Sequence, residues 1–388
     1  MKDLELYIHI PFCKQKCDYC DFLSAVADKE SQSAYIEALI REIAFYGRTC
    51  AEQYLITSIF IGGGTPSLIE TKWMRTLLKA LSSSFALAED LEFTIECNPV
   101  TLTRDKLTTY KEFGIDRLSI GLQSVNNKEL KLLGRIHTYE EFLESYELAR
   151  SVGFSNINID LISSIPGQTA ESFTRTLEKT IQLSPEHISA YSLIIEPGTP
   201  FFDRYALDVK LLEQGKEPKF LPDEDTEYSI GKLTNEILIN NGYERYEISN
   251  YAKKGYSCRH NIGYWKRNEY LGLGLGASSL MNEQRSSNTR SMLNYLRSSP
   301  SVLRETTFAL GRKEQMEEFL FLGLRMTNGI SRSAFYEKFG IVIEQIYGEQ
   351  IQKMIREEML LVTRARVMLT EKGLDLSNYV LTGFLIES

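Results

Sequence analysis

Six short apolar segments alternate with longer segments of helical spacing along the first half of the chain. Consecutive strands can run in the same direction only through crossover connections, which are usually helices, so this alternation favours a parallel sheet. The fold class predicted from the sequence is therefore α/β. The expected strands are residues 4–10, 57–61, 91–96, 115–122, 155–161 and 187–195, and the first expected helix is 31–46.

The alternation ends near residue 197, and the last quarter of the chain is mainly helical in pattern. Helices followed by a β-ribbon are typical of a winged helix. This region carries slightly more acidic than basic residues, whereas a DNA-reading module should be basic, so we expect a packing or lid domain. The later expected helices are 223–241, 313–326, 331–339, 342–358 and 371–378, and the later expected strands are 243–248, 360–363 and 367–369.

Composition excludes several classes of protein. The 388 residues carry a formal net charge of −8, with 43% hydrophobic and 25% charged residues. These proportions are typical of a globular protein rather than a disordered one, and the negative charge argues against a nucleic-acid-binding chain. The sequence contains no apolar run long enough to span a bilayer, and it begins without the layout of a signal peptide. We therefore expect a cytoplasmic protein.

Three of the six cysteines lie close together, directly after the first expected strand. Cys13, Cys17 and Cys20 can converge on one centre, whereas a disulfide framework would spread its cysteines along a short secreted chain. Structural zinc sites and cubane iron–sulfur clusters normally take four protein ligands, so three cysteines leave one position open. Two other interpretations stand at this point: a zinc site completed by His9, and three unrelated buried cysteines.

A glycine motif, residues 62–66 (GGGTP), closes the second expected strand. Glycines let a backbone approach a ligand closely. The motif is not a P-loop, because no Gly-Lys-Ser/Thr follows, and its spacing is wrong for a dinucleotide fingerprint. A simple strand-ending turn explains the motif equally well when it is taken alone.

The cysteine segment, residues 7–22 (YIHIPFCKQKCDYCDF), resembles the cluster loop of the radical S-adenosylmethionine (SAM) superfamily. The resemblance is to the branch that contains oxygen-independent coproporphyrinogen III oxidase. It implies a partial (β/α)6 barrel, similar to an incomplete TIM barrel, with a C-terminal, mostly helical, winged-helix-like domain. It also implies a 4Fe–4S cluster held by Cys13, Cys17 and Cys20, with SAM on the fourth iron. The implied domains are the barrel core at 1–235, a barrel extension at 236–305 and the C-terminal domain at 306–388.

The resemblance further implies a set of SAM ligands at or just beyond the strand ends. A carboxylate can accept hydrogen bonds from ribose hydroxyls, and an arginine can bind a carboxylate through two N–H groups. Any one of these residues alone would be explained as a solvated surface residue. The implied SAM ligands are Tyr7, Gly63, Gly64, Thr65, Glu96, Gln123, Arg135 and Asp160.

Two features bear on the branch of the superfamily. The coproporphyrinogen oxidase pattern has a further cysteine two residues after the third, where this chain has Phe22, and the arm before Tyr7 is short here. Residues 246–252 (YEISNYA) and 260–265 (HNIGYW) resemble instead the heme chaperone branch, the HemW-like proteins. This second resemblance implies heme as a cargo.

The implied heme residues are His260, Asn261, Tyr264 and Trp265. Histidine is a normal axial ligand of heme iron and must be neutral to bind, so affinity is expected to fall below its unperturbed pKa of about 6.5. The two aromatic side chains can stack on a macrocycle. The alternative is structural: His260 and Asn261 form hydrogen bonds within a loop, and the aromatic rings fill the barrel mouth.

Three functions follow from these observations. The first is a heme chaperone that binds a 4Fe–4S cluster, SAM and heme and delivers heme to an acceptor protein. The second is a radical enzyme acting on a tetrapyrrole, by decarboxylation of coproporphyrinogen III, methylation or ring opening. The third, a zinc-stabilised DNA-binding protein, is disfavoured by the charge of −8. The expected partners are heme or a related tetrapyrrole, an acceptor protein and an electron donor. No nucleic acid and no transmembrane segment are expected, and a peripheral membrane contact is compatible with the sequence.

Overall fold

The computed structural model describes residues 1–50 and 52–385, and most of these are organised around one twelve-stranded sheet. Six strands pair side by side in sequence order, and every pairing among them is parallel. They are β1 (Lys2–Ile10), β2 (Tyr54–Gly63), β3 (Leu87–Cys97), β4 (Arg117–Gln123), β5 (Ile157–Ser163) and β6 (His187–Ser192).

Helices follow each of these strands and bury apolar residues against the outer face of the sheet. Capping side chains set the starts of α3 to α8; Thr138 and Glu141, for example, form a reciprocal capping box at the start of α5. None of the helices in the described residues is both long and apolar enough to cross a bilayer. The helices are α1 (Lys29–Cys50), α2 (Thr71–Ser84), α3 (Arg104–Glu112), α4 (Asn127–Leu132), α5 (Tyr139–Ser151), α6 (Ala170–Gln182), α7 (Pro200–Glu213) and α8 (Glu224–Asn240), with single 3-10 turns at Pro66–Leu68 and Pro99–Thr101.

The next segment extends the sheet at both edges. At one edge, a short strand pairs antiparallel with β6. At the other edge, one strand pairs with β1, and three more strands continue outward from it. The two outer edges do not pair with each other, so the barrel is partial, as the fold prediction requires. The elements are β7 (Glu244–Arg245), β8 (Asn250–Ala252), α9 (Arg259–Trp265), β9 (Tyr270–Leu273), β10 (Ser278–Met281), β11 (Gln284–Asn288), α10 (Met292–Arg297), the 3-10 turn Pro300–Val302 and β12 (Arg304–Ala309).

The C-terminal part of the chain has a separate hydrophobic core, centred on residues such as Phe335, Tyr347 and Val367. Helices pack beside a three-stranded antiparallel sheet, which confirms the predicted mostly helical, winged-helix-like architecture. The elements are α11 (Arg312–Gly323), β13 (Ile330–Ser331), α12 (Arg332–Phe339), α13 (Ile343–Arg356), β14 (Leu360–Val362), β15 (Arg366–Leu369), α14 (Glu371–Asp375) and α15 (Ser377–Thr382).

Two expected elements are wrong in detail. The strand expected at 243–248 is a tight hairpin of β7 and β8, because the Glu247 carboxylate accepts hydrogen bonds from the Ser249 N–H and the Asn250 amide and so bends the chain. The helix expected at 371–378 breaks at Leu376, whose φ of −106° and ψ of 30° are not helical.

The glycine-rich stretch 272–277 packs closely against the barrel and is held there by a buried carboxylate. Glu42 of α1 is fully buried and accepts hydrogen bonds from the Tyr295 hydroxyl at 2.6 Å and the Asn288 amide at 2.7 Å. It also accepts from the Gly274 N–H at 2.9 Å. One side chain therefore ties the added strands and α10 to the first helix.

We expect Glu42→Ala to lower the free energy of unfolding by about 3 kcal/mol or more, because it leaves several buried donors without an acceptor. Urea unfolding followed by circular dichroism measures this change. Glu37→Ala, on the exposed face of the same helix, is the matched control and should change stability by less than about 0.5 kcal/mol. Equal effects of the two substitutions would contradict the anchoring role of Glu42.

Candidate functional site

The three clustered cysteines lie on the loop between β1 and α1. A bridge between Phe12 and Ala25 closes the base of this loop, and the Cys20 N–H donates to the Cys17 carbonyl at 3.2 Å. Cys13 is buried, whereas Cys17 and Cys20 are partly exposed. Burial raises the pKa of the Cys20 thiol, and the nearby Cys17 and Cys13 raise it further. This mutual influence indicates that the three sulfurs share one region of the loop.

The donor set suits a cluster better than a single metal ion. His9, the alternative zinc ligand, is buried and uses both ring nitrogens, one with the Tyr7 hydroxyl at 3.0 Å and one with the Leu23 carbonyl at 2.9 Å. Within residues 1–50 and 52–385, no three His, Cys, Asp or Glu side chains are grouped closely enough to surround one ion. A cubane cluster binds each cysteine through a different iron, so its thiols stand farther apart than the ligands of one zinc ion. In a 4Fe–4S cluster, Cys13, Cys17 and Cys20 would each bind a different iron and would leave the fourth iron open.

The glycine motif joins the end of β2 to the cysteine loop. A Cβ atom on Gly64 would lie 2.7 Å from the Phe12 carbonyl oxygen and 3.0 Å from the Cys13 sulfur, so a larger residue would push the loop away. Gly63 has a φ of 118°, which favours glycine, and its N–H donates to the Glu96 carboxylate at 3.0 Å. The motif thus brings β2, β3 and the cysteine loop into contact.

Glu96 and Asp160 face a cavity of about 200 Å³ inside the barrel, which we call the inner cavity. Asp160 accepts hydrogen bonds from the Ser119 hydroxyl at 2.9 Å and the Asn158 amide at 2.8 Å. Burial and the neighbouring Asp160 raise the pKa of Glu96 to about 8, and burial also raises the pKa of Asp160. Two neighbouring carboxyl groups with raised pKa values favour a ligand that brings positive charge or hydrogen-bond donors.

Arg135, in the connection between α4 and α5, and Thr65, just beyond β2, both contact the cysteine loop. The Arg135 guanidinium donates to the Gly121 carbonyl at 2.9 Å and to the Cys17 sulfur at 3.6 Å, and its Nε has no partner among the residues described. The Thr65 hydroxyl donates to the Cys13 sulfur at 3.7 Å. A partly buried guanidinium with an unused, buried Nε–H is suited to an anionic ligand such as a carboxylate.

The other implied SAM ligands lie in the same region. Gln123 is the last residue of β4, is buried, and has a positive φ of 72°. Tyr7 of β1 faces the inner cavity together with Glu96 and Asp160. Except for Arg135, which follows α4, the implied set lies on or just beyond neighbouring strands.

Helix α9 lies inside the barrel, below the inner cavity. The Glu92 carboxylate of β3 accepts the backbone N–H groups of Arg259 at 2.8 Å and His260 at 3.0 Å, which fixes the start of this helix. A Cβ atom on Gly263 would overlap the Glu5 carboxylate of β1, so only glycine allows this close approach. His260 and Asn261 thus lie on a helix rather than in a loop, and four further strands of the large sheet follow it.

Helix α9 distributes the four implied heme residues over two cavities. His260 and Asn261 face the inner cavity, Trp265 faces an outer cavity, and Tyr264 lines both. His260 is 1% exposed; its Nδ1 forms a hydrogen bond with the Ser58 hydroxyl at 2.8 Å, and its Nε2 has no partner in the described chain. The four residues therefore do not form one open site.

The outer cavity has a volume of about 390 Å³ and reaches Leu322 of the C-terminal domain. Arg267 and Arg285 line it, and both pair with Glu318 of α11, at 2.7 Å and 2.8 Å. Aromatic rings and guanidinium groups together suit a flat apolar ligand that carries anionic substituents. The aromatic residues that line the outer cavity are Tyr7, Tyr264, Trp265 and Tyr270.

Sequence reasoning missed Arg117. This residue of β4 is 2% exposed and lines the inner cavity, and its Nε has no partner among the described residues. A charged residue inside an otherwise apolar strand is a signal that could have indicated it. Ser119 and Asn158, which contact Asp160, carry no comparable signal, because small polar residues are common in strands.

Comparisons with known proteins agree with this architecture. The model of the radical SAM superfamily matches residues 7–180, and that of the HemN C-terminal domain matches residues 310–376. The heme chaperone HemW of Lactococcus lactis subsp. lactis is 37% identical over 98% of this chain and 97% of that protein. The heme chaperone HemW of Bacillus subtilis is 34% identical over 98% and 99% of the two chains.

A solved structure extends the comparison to the fold. Coproporphyrinogen III oxidase (HemN) from Escherichia coli, described as a radical SAM enzyme, aligns with a TM-score of 0.84 over 99% of this chain and 90% of that chain. The two sequences are 23% identical, so this likeness establishes the shared fold alone.

We expect the protein, reconstituted anaerobically with iron and sulfide, to hold about four irons and four sulfides, as in a cubane cluster. Alanine at Cys13, Cys17 or Cys20 should abolish the iron-dependent charge-transfer absorption. The matched controls are Cys50→Ala, Cys97→Ala and Cys258→Ala, which lie elsewhere and should retain it. Stoichiometric zinc without that absorption would overturn the cluster assignment.

The buried Glu5 beneath α9 predicts a pH-dependent stability. Burial raises the pKa of Glu5 to about 8, and the Glu92 carboxylate adds to this, while a hydrogen bond from Asn268 opposes it. Between about pH 5 and 8 the folded chain then holds a proton that the unfolded chain has lost, so stability falls as pH rises through this window.

We expect Glu5→Gln to be more stable than the wild type at pH 8, by on the order of 2 kcal/mol, and to differ less at pH 5. Urea unfolding at both pH values measures the difference, with the exposed Glu52→Gln as control. A difference that did not change between pH 5 and 8 would show that Glu5 is ionised throughout.

Proposed function

The chain belongs to the radical SAM superfamily and, within it, to the HemW family, and on this basis we propose that it is a heme chaperone. In this proposal the protein binds a 4Fe–4S cluster, SAM and heme and delivers heme to an acceptor protein. The observation that carries the proposal is the similarity to proteins named heme chaperone HemW along nearly the entire chain. All six cysteines are unpaired, which supports a reducing, cytoplasmic location.

Cys13, Cys17 and Cys20 would hold the cluster, which when bound supplies the electron that can cleave the sulfonium of SAM. The chain's own residues would bind and orient SAM. Glu96 and Asp160 would accept hydrogen bonds from its hydroxyl or ammonium groups, and the unused N–H of Arg135 would serve its carboxylate. The raised pKa values of both carboxyl groups support a cationic ligand, because positive charge nearby stabilises their ionised forms.

Heme would bind against the aromatic wall of the outer cavity, and its propionates would compete with the Glu318 carboxylate for Arg267 and Arg285. His260 would reach the iron only after the Tyr264 side chain turns aside. The two cavities have Tyr7 and Tyr264 in common, and the His260 and Tyr264 ring centroids are 4.8 Å apart, so this ring is the barrier between them. The unpartnered Nε2 of His260 supports its role as the ligand.

The burial of His260 changes the expected pH dependence of heme binding. Burial and the nearby Arg117 lower the pKa of His260 to about 3. The imidazole is then neutral, and able to bind iron, throughout the range from pH 5 to 8. Affinity should therefore stay level across this range, in contrast to the fall below about pH 6.5 that an unperturbed histidine would give.

The test is a heme titration of the wild type and of His260→Ala, with the Soret band recorded at each step. We expect the Soret maximum to shift in His260→Ala, because the axial ligand changes. We expect Trp265→Ala to weaken binding by roughly three- to tenfold without a shift, because it removes stacking only. His137→Ala is the matched control, since this buried histidine lines neither cavity.

An identical Soret maximum and affinity in the wild type and His260→Ala would exclude His260 as the ligand. Absence of heme binding by the wild type would contradict the chaperone proposal. Turnover of coproporphyrinogen III under the same reducing conditions, without heme affinity, would favour the tetrapyrrole enzyme instead.

A further inference from the structure

The first residue of the YEISNYA segment lies at the end of a buried hydrogen-bond chain that leads to Asp160. The Tyr246 hydroxyl is 2.9 Å from Nε2 of His187, and Nδ1 of His187 is 2.6 Å from Oδ1 of Asn158. Nδ2 of Asn158 is in turn 2.8 Å from Oδ1 of Asp160. His187 is fully buried and Asn158 is 2% exposed, so solvent does not compete for the bond between them.

The direction of every bond in this hydrogen-bond chain follows from the Asn158 amide. Its nitrogen donates to Asp160 and to the Ser119 hydroxyl, so its oxygen faces His187. That oxygen also accepts from the Ser189 hydroxyl at 3.1 Å, which agrees with this orientation. His187 therefore carries its proton on Nδ1, its Nε2 is an acceptor, and the Tyr246 hydroxyl donates to it. Burial lowers the pKa of His187, which agrees with a neutral ring.

The Tyr246 end of this hydrogen-bond chain is fixed by the C-terminal domain. The backbone carbonyl of Tyr246 accepts a hydrogen bond from the Thr327 N–H at 3.1 Å, and the Thr327 hydroxyl donates to the Arg245 carbonyl at 2.9 Å. Thr327 lies between α11 and β13. A continuous path of hydrogen bonds thus leads from this domain to a carboxylate in the inner cavity.

We propose that Tyr246, His187 and Asn158 are positioning residues that hold the Asp160 carboxylate toward SAM, with their outer end set by the C-terminal domain. The inference rests on the proposed function, because it takes Asp160 as a SAM ligand. All three donors point the same way, so each bond polarises the next. Without the Tyr246 hydroxyl, the buried Nε2 of His187 is an acceptor with no donor. The His187 ring, and with it the Asn158 amide, is then held less firmly in its orientation.

Equilibrium dialysis of labelled SAM against the cluster-loaded protein tests the proposal. We expect Tyr246→Phe to weaken SAM binding by roughly three- to tenfold. Tyr243→Phe is the matched control: Tyr243 is buried in the same segment, and its hydroxyl donates to the Pro185 carbonyl at 2.7 Å, away from the chain. The control also loses a buried hydrogen bond, but its SAM affinity should not change.

A double substitution shows whether Tyr246 acts through Asp160. Adding Tyr246→Phe to Asp160→Asn should weaken SAM binding no further than Asp160→Asn alone, because the carboxylate on which the chain acts is already gone. Additive losses would mean that Tyr246 acts by another route and would overturn the proposal, as would unchanged affinity in Tyr246→Phe.

A second measurement needs neither cluster nor SAM. The chain has four histidines, so ¹⁵N-histidine labelling of the full chain gives few signals to assign. We expect His187 to be neutral with its proton on Nδ1, and its Nε2 signal to shift in Tyr246→Phe but not in Tyr243→Phe. A proton on Nε2 of His187 would contradict the proposed direction of the hydrogen-bond chain. Failure of the wild type to bind SAM would instead contradict the proposed function.

Discussion

The parallel register of β3 to β6 is the constraint on which the rest of the site depends. It sets Glu96 beside Ser119, Ser119 beside Asn158, and Asn158 beside His187, so four polar side chains form one row across the inner face. Because side chains alternate along a strand, a slip of one residue in any pair would move that strand's polar groups into the apolar layer beneath the helices. The apolar packing outside the sheet and the polar row inside it therefore enforce the same register.

A polar interior is costly unless its groups find partners, and several polar groups that line the inner cavity lack one. Unpartnered atoms at the inner cavity include Nε of Arg117 and Nε2 of His260, while Glu96 and Asp160 have raised pKa values. Elsewhere, as at Glu42, a buried carboxylate has donors from three sides. The pKa of Glu42 is raised as well, but Glu42 lines neither cavity, whereas Glu96 and Asp160 face a space that a ligand can enter.

Local patterns predicted the parts of the fold that local chemistry determines. Apolar runs gave all six parallel strands, and the spacing of Cys13, Cys17 and Cys20 indicated the cluster loop. The antiparallel strands 278–281, 284–288 and 304–309 were missed, because they are short and polar and their edge is largely exposed. The cavity that His260 faces could not be predicted from local sequence either. It depends on Glu92, which is distant in the sequence and accepts the N–H groups at the start of α9.

Helix α9 gives the two cavities a physical connection. It contributes His260 to one and Trp265 to the other, and Tyr264 stands between them with its ring 4.7 Å from that of Tyr270. A ligand that moves the Tyr264 ring in the outer cavity must also change the wall of the inner one. Tyr7 also lines both cavities, so the two share a wall made of two aromatic rings. If a ligand in the outer cavity moves these rings and so alters binding around Glu96 and Asp160, linkage requires that a ligand there alters binding in the outer cavity by the same factor.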